Sequence, residues 1–166
     1  EINIATQSHA APGSYLGNDG IGPIPAPNQW SSPSFGFTTD WQSYMCDYVV
    51  SNDNFQSIAF NLSVDRSNSV DYNFKNVYAM LPAPATAENE GWKVIDAQLL
   101  KTEYGVCNQE PMTNNKGDVD SPAKVANDWD SQLFIALPEA FKAGDKIMFS
   151  IDYKASAAVN VPTQAH

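Results

Sequence analysis

Residues 146–153 read KIMFSIDY, in which large apolar residues alternate with Lys, Met, Ser and Asp. Successive side chains of a β-strand point to opposite faces of the sheet, so this alternation predicts a strand with one face in the core. The same pattern recurs in SIAFNLSV at residues 57–64 and in QLFIAL at residues 132–137. The sequence therefore predicts a protein built from strands that each bury one face.

The rest of the chain extends this pattern without adding a helix. The most helical stretch, residues 137–145, is limited to about one turn by Pro138 and Gly144. The turn-rich stretches 10–35 and 105–128 are predicted to be loops. About eight strands with no real helix predict one all-β domain over residues 1–166, an antiparallel β-sandwich or jelly roll. The further predicted strands are residues 2–9, 41–50, 72–80, 92–104 and 158–166.

Composition excludes several classes of protein. The net charge of −10 argues against nucleic acid as a partner, because a negative field repels phosphate. The 43% apolar content argues against disorder, and no apolar run is long enough to span a membrane. Few lysines, many Asn and Ser residues and many aromatics suggest a secreted or surface-bound protein. The abrupt start at Glu1 suggests a mature segment or a piece of something longer.

The two cysteines leave two alternatives open. Cys46 and Cys107 are far apart and are not in a metal-ligand spacing. In an oxidising compartment they could form a disulfide that closes a loop of roughly 60 residues, worth on the order of 4 kcal/mol. The alternative is two buried thiols that act as small apolar groups.

A short motif recurs at the two ends of the chain. Residues 2–9 read INIATQSH and residues 159–166 read VNVPTQAH, with Asn, Thr, Gln and His at matching positions. The separation of the copies is about one sandwich domain, which suggests a tandem array cut across a repeat boundary. Such a chain could close as a circular permutant or exchange strands in a swapped dimer. We expect one copy to be ordered in a sheet and the other to be peripheral or swapped.

Side chains for catalysis are scarce. The only histidines are His9 and His166, which occupy the same position of the two copies. The chain has no Gly-x-Ser-x-Gly nucleophile turn and no histidine pair at zinc spacing. The 19 acidic residues offer carboxylate pairs, but no spacing singles one out for glycoside hydrolysis. The sequence therefore favours a binding protein over an enzyme.

Binding has better support in the first copy of the motif. If its two isoleucines face the core, Gln7 and His9 line an exposed sheet face, and Asn61 lies on the non-core face of its own strand. Amides both donate and accept hydrogen bonds, which suits paired sugar hydroxyls, and tryptophan rings suit the apolar faces of a pyranose. Of the four tryptophans, Trp30 in a polar loop and Trp129 between two aspartates are expected to be exposed.

Several segments taken together resemble one known family. They are NDWDSQLFI at 127–135, AGDK at 143–146, FSIDYKA at 149–155, the Thr-Gln-x-His motif with PGSYL at 12–16, FTTDWQ at 37–42, IAFNL at 58–62 and YNFKNV at 72–77. They resemble carbohydrate-binding modules of the family 4, 9 and 22 type, most of all modules inserted in Bacteroidetes xylanases of glycoside hydrolase family 10. The order is rotated, since residues 1–82 resemble the C-terminal half and residues 91–166 the N-terminal half of the usual module. That rotation agrees with the repeated motif.

The resemblance implies a lectin-like jelly-roll module without catalysis that binds a β-linked glycan along a concave groove. Xylan is the favoured ligand, and the covalently linked partner would be a glycan-degrading enzyme such as an endo-xylanase. Trp30 is our addition to the groove, from a loop longer than the usual pattern. The groove residues that the resemblance implies are Trp129, Gln132, Gln7, His9 and Asn61, with Tyr15 on an adjoining loop.

The resemblance also bears on cofactors. Such modules often hold a structural Ca²⁺ through an Asp-Asn or Asp-Asp pair in the final strand. Here that place reads Lys75-Asn76, and a lysine repels a cation, which argues against calcium at this position. We expect no cofactor.

Two other functions compete with glycan binding. A jelly-roll glycoside hydrolase or lyase would release reducing sugar, and one Asp or Glu substitution would abolish that activity. A structural or adhesion sandwich would assemble by strand exchange through its matching ends and would bind no glycan. The sequence does not separate xylan from mixed-linkage glucan, mannan or cellulose.

Overall fold

The computed structural model of the chain describes residues 15–62, 70–103, 106–112, 117–119 and 131–166. The regular elements of these ranges are β-strands in two antiparallel sheets, which confirms the predicted all-β class. No helix in the described ranges has the length and hydropathy needed to cross a bilayer. The strands are β1 (Ser34–Phe37), β2 (Gln42–Val49), β3 (Phe55–Asn61), β4 (Tyr72–Pro82), β5 (Trp92–Ile95), β6 (Gln98–Glu103), β7 (Val106–Met112), β8 (Gly117–Val119), β9 (Ser131–Phe141), β10 (Lys146–Ala155) and β11 (Val159–Ala165).

The strands are distributed between a six-stranded and a five-stranded sheet. The first has the order β1-β11-β3-β9-β6-β7. The second has the order β2-β10-β4-β5, and β8 pairs with β4. The sheets pack face to face through aromatic side chains, as in a β-sandwich. Phe60 on β3 lies 5.4 Å from Phe74 on β4, measured between ring centroids, and Tyr48 on β2 lies 5.1 Å from Phe55 on β3.

The alternation in KIMFSIDY is confirmed by the central strand of the second sheet. β10 pairs along its length with β2 on one side and with β4 on the other. Its buried side chains are Ile147, Phe149, Ile151, Tyr153 and Ala155, at most 3% exposed. The residues between them face outward and are half-buried or exposed. The predicted face of this strand is therefore the observed core face.

Several predicted boundaries are wrong. The predicted loop 105–128 contains strands β7 and β8, and the predicted strand 92–104 is divided at Asp96-Ala97 into β5 and β6. The predicted single helical turn over 137–145 is absent, because β9 continues to Phe141 and a turn follows it. Val50, Gly144 and Asp145 close that turn through backbone hydrogen bonds, so the sheet pairing overrides the local helix propensity.

The second copy of the terminal motif is an internal strand. β11 pairs with β1 on one side and β3 on the other. The first copy, residues 2–9, lies outside the described residues.

Cys46 on β2 is a free thiol that packs partly against the core, and burial raises its pKa. Of the two alternatives predicted for the cysteines, Cys46 therefore matches the free thiol that packs as a small apolar group.

Stability is expected to fall in alkali because of buried tyrosines. The ring of Tyr44 packs edge-on against Phe35, with centroids 5.2 Å apart. Burial first, and the neighbouring Cys46 second, raise the pKa of Tyr44 from 10.0 to about 12. Burial also raises the pKa values of Tyr48 and Tyr153. The unfolded chain loses these protons at lower pH than the folded chain, so the free energy of unfolding is expected to decrease as pH rises from about 10 to about 12.

Urea unfolding at pH 8, 10 and 11 measures this dependence. Tyr44→Phe has no phenol to ionise, so its unfolding free energy should change less across the window. Tyr78→Phe on the outer face of β4 serves as the matched control. An equal decrease in Tyr44→Phe and in the parent protein would contradict the assignment to Tyr44.

Candidate functional site

The outer face of the six-stranded sheet, where the sequence predicts an open binding face, is buried at its centre. Asn61 on β3 and Gln132 on β9 are directly opposite in register and are only 2% and 4% exposed. Gln132 Nε2 donates a hydrogen bond to Asn61 Oδ1 over 2.7 Å. Asn61 lies on the non-core face of its strand, as the alternation predicts, but that face is covered at this position, so Asn61 does not line the open groove that the resemblance implies. The two amides pair with each other, as polar groups shielded from water usually do.

Apolar residues on the same outer face accompany the amide pair. Ala59, Leu100, Phe134 and Ala136 form a second apolar cluster, separate from the main core. β3, β9 and β6 therefore carry apolar side chains on both faces at the centre of the sheet. The alternation in residues 57–64 and 132–137 identifies the core face correctly, but it does not reveal that the opposite face is also buried.

Tyr15 lies where the chain approaches the end of β11. Leu16 N donates to Ala165 O over 2.9 Å, and Ala165 N donates to Gly17 O over 3.2 Å. These bonds fix the backbone immediately after the tyrosine. The Tyr15 ring stands nearly perpendicular to the His166 ring at 5.8 Å, while 55% of its surface stays exposed. Tyr15 therefore presents an aromatic ring to solvent beside a backbone segment, Leu16 and Gly17, that is hydrogen-bonded to β11.

The side chain of Asn18 connects three other residues of the site. Tyr15 OH donates to Asn18 Oδ1 over 2.7 Å, and Gln164 Nε2 donates to the same oxygen over 3.3 Å. Asn18 Nδ2 donates to the backbone oxygen of Trp30 over 3.0 Å. One amide thus joins the segment after Tyr15, the last strand and the loop that carries Trp30.

A second asparagine fixes the other side of Trp30. Trp30 N donates to Asn28 Oδ1 over 2.9 Å, and Ser31 N donates to Asn28 O over 3.1 Å. This is an asparagine-initiated turn, in which the short amide side chain holds the backbone two residues ahead. The backbone of Trp30 is therefore held at its nitrogen and at its oxygen. Its indole nevertheless is 80% exposed.

The arrangement has the chemistry of a small polar-aromatic binding surface. We call it the Tyr15–Trp30 site, made of Tyr15, Asn18, Trp30 and Gln164. An indole offers a contact area of about 150–250 Å², and most tryptophans bury much of it. The Trp30 indole is not buried against the protein although hydrogen bonds hold its backbone. A ligand could therefore cover the ring without a large cost in ordering the loop. The Tyr15 hydroxyl and the Asn18 and Gln164 amides, which Asn18 joins to the Trp30 backbone, are groups that can donate and accept hydrogen bonds.

The structure brings four of the seven residues that the sequence predicts for ligand binding together as two separate pairs, of which one is exposed. Tyr15 and Trp30 are exposed and are linked through Asn18. Asn61 and Gln132 are paired and buried on the outer face of the sheet. The remaining three, Trp129, Gln7 and His9, lie outside the described residues.

Three residues near the site were not among the predicted ligand-binding residues. Gln164 and His166 belong to the second copy of the motif, at the positions that match Gln7 and His9 in the first copy. The repeat was the available signal, and either copy could have been chosen from the sequence. Asn18 gave no signal, because its role depends on contacts with residues distant in the chain.

Lys75 and Asn76, which stand where the family pattern has a calcium-binding acidic pair, make other contacts. Lys75 Nζ lies 4.0 Å from the centroid of the Trp41 ring, and Asn76 Nδ2 donates to Asp152 Oδ2 over 2.7 Å. Within the described ranges no group of three or more His, Cys, Asp or Glu side chains is placed to hold a metal ion.

Comparison with known proteins adds no relative. No family model matches the chain, no curated protein matches it, and no solved structure matches it.

Proposed function

We propose that the protein is a non-catalytic carbohydrate-binding module of jelly-roll type that binds a β-linked plant glycan, with xylan as the favoured ligand. In this proposal it is secreted or surface-bound and directs a covalently attached glycoside hydrolase to its substrate. The single observation that supports the proposal best is the 80% exposed indole of Trp30 on a backbone held by two asparagines.

The proposed mechanism uses each group for one part of a sugar. The Trp30 ring stacks on the apolar C–H face of a pyranose, and Tyr15 provides a second exposed ring. The Asn18 and Gln164 amides offer hydrogen bonds to the hydroxyls around the sugar rim. A few such contacts give modest affinity, because association and ordering of the glycan subtract from the gain. Linked copies of the module would raise the overall affinity through effective concentration.

The charge of the protein favours a neutral glycan chain. With 19 acidic and 9 basic residues the net charge is −10, which repels a polyanionic chain such as pectin. Xylan, glucan and mannan backbones carry no charge and escape this repulsion. The proposed ligand therefore has a neutral backbone.

Calorimetric titration with xylohexaose, beside cellohexaose and mannohexaose, tests the proposal. We expect saturable heat with xylohexaose and a loss of at least about tenfold in affinity in Trp30→Ala, which removes the stacking surface. The matched control is Val94→Ala, which truncates another exposed apolar side chain, 56% exposed on β5 of the other sheet, and should leave xylohexaose affinity within about twofold. Because Trp30 is exposed, its truncation should not alter stability by more than about 0.5 kcal/mol.

The outcomes separate the competing functions. Heat with only another hexaose would retain the module and replace xylan as ligand. No binding heat with any of the three sugars would overturn glycan binding and favour the structural sandwich. Release of reducing sugar that one Asp or Glu substitution abolishes would favour the hydrolase.

A further inference from the structure

The outer face of the five-stranded sheet carries a cluster of cations around one tryptophan. Trp41, immediately before β2, is 42% exposed. Lys75 Nζ on β4 lies 4.0 Å from its ring centroid, and Lys154 Nζ on β10 lies 5.1 Å from the same centroid. Two of the nine basic residues of an acidic chain therefore meet at one ring.

Strand register explains why these residues meet. Asp152 on β10 is opposite Ser43 on β2 and opposite Lys75 on β4. Lys154 is opposite Asn73, two positions further along the same strands. The register shifts between residues 150 and 152 of β10, and Asn76 at that irregularity has a positive φ of 49°. The cluster is thus assembled across three neighbouring strands.

Asp152, the acidic residue of the cluster, already accepts two hydrogen bonds. Ser43 Oγ donates to Asp152 Oδ1 over 2.6 Å, and Asn76 Nδ2 donates to Asp152 Oδ2 over 2.7 Å. These two hydrogen bonds, more than Lys75, lower the pKa of Asp152. Within the described part of the chain, neither lysine forms an ion pair with a carboxylate, and both make cation–π contacts. The two ammonium groups therefore keep donors for a ligand.

Two neighbouring ammonium groups favour a ligand with one carboxylate. Like charges on a shared ring repel each other, and a carboxylate bound to both replaces repulsion with two charge-assisted hydrogen bonds. An exposed cation–π contact is worth only about 0.5–1 kcal/mol, so the lysines can reorient toward an anion at small cost. The exposed part of the indole adds an apolar surface beside the carboxylate site.

We propose that Lys75 and Lys154, which both contact the Trp41 ring, bind the carboxylate of a uronic-acid sugar. The neighbouring indole suits the ring of such a sugar. The net charge of −10 opposes a polyacid, including an acidic peptide, but tolerates a single carboxylate on a neutral chain. The ligand class is therefore a lone acidic sugar, such as a branch on a neutral glycan. This inference deepens the proposed function by adding a second contact for the same glycan, and it is testable without it.

Titration with glucuronate, followed by NMR of the tryptophan indole N–H and the lysine side chains, tests the site. We expect shifts at Trp41, Lys75 and Lys154 with glucuronate and none with glucose at equal concentration. The double variant Lys75→Met/Lys154→Met should bind glucuronate at least about tenfold more weakly. Lys146→Met removes a cation from the same strand and serves as the matched control. Added salt should weaken binding of the parent protein.

Each other result would overturn the proposal. Equal shifts with glucose would show that the carboxylate is not recognised, and equal affinity for acetate would show that the sugar is not. Unchanged glucuronate affinity in the double variant, or no response of the parent protein to glucuronate, would show that Lys75 and Lys154 do not form a carboxylate site. Tighter binding of a Glu-rich peptide than of glucuronate would reassign the surface to a protein partner. Xylohexaose binding at Trp30 is measured separately, so failure of either site is recognised independently of the other.

Discussion

Replacing Phe35 with alanine is expected to lower the free energy of unfolding by about 4 kcal/mol, the middle of the range for buried phenylalanines. Phe35 on β1 is fully buried. Its ring centroid lies 4.9 Å from Tyr153 on β10, 5.0 Å from Phe60 on β3 and 5.2 Å from Tyr44 on β2. Alanine removes aromatic contacts to both sheets at once and leaves a cavity that the surrounding strands cannot fill.

Equilibrium urea unfolding, followed by circular dichroism, measures this loss. Phe35→Leu keeps most of the volume and should cost clearly less, which keeps the prediction measurable if the alanine variant does not fold. Val49→Ala truncates an apolar side chain that is 55% exposed, and it should cost less than about 0.5 kcal/mol. A loss below about 1 kcal/mol for Phe35→Ala would show that this ring does not join the sheets.

Replacing Gln132 with leucine is expected to cost about 1–3 kcal/mol of stability while leaving xylohexaose affinity within about twofold. The substitution removes the donor that satisfies Asn61 Oδ1, and that oxygen is then buried without its partner. Because Gln132 is only 4% exposed, its amide is not available to a soluble glycan. Urea unfolding and calorimetric titration of the same variant measure the two effects.

A double-mutant cycle separates pairing from simple truncation. Asn61→Leu/Gln132→Leu removes both polar groups, so we expect it to be more stable than the sum of the single losses implies. Gln98→Leu, at an exposed position of β6, is the control for the chemical change alone. Loss of xylohexaose binding in a stable Gln132→Leu variant would restore the groove that the family resemblance implies and would contradict the buried assignment.

The strands with regular alternation were predicted well. In residues 146–153 every second residue is large and apolar, and this single property determines both the strand and its core face. Strands β1, β7 and β8 were not predicted. β1 alternates buried Phe35 and Phe37 with Ser34 and Gly36, but four residues are too few for the pattern to stand out, and the three residues of β8 are defined by pairing with β4.

The candidate site was predicted only in part. Trp30 is surrounded by polar loop residues, so its exposure follows from local sequence. Asn61 and Gln132 are polar and lie on the predicted face away from the core, yet that face is buried. Alternation tells which side of a strand a residue occupies. It does not tell whether that side meets solvent or another layer of the protein.

The sequence by itself determined the all-β class, the core faces of β3, β9 and β10, and the exposed indole of Trp30, because each depends on the local order of polar and apolar residues. Only the tertiary structure decided that Asn61 pairs with Gln132 and that Asn18 links Tyr15 to Gln164. It also decided that Lys75 and Lys154 meet at Trp41. These contacts join residues on different strands and loops, and sheet order and register, which are non-local, bring them together.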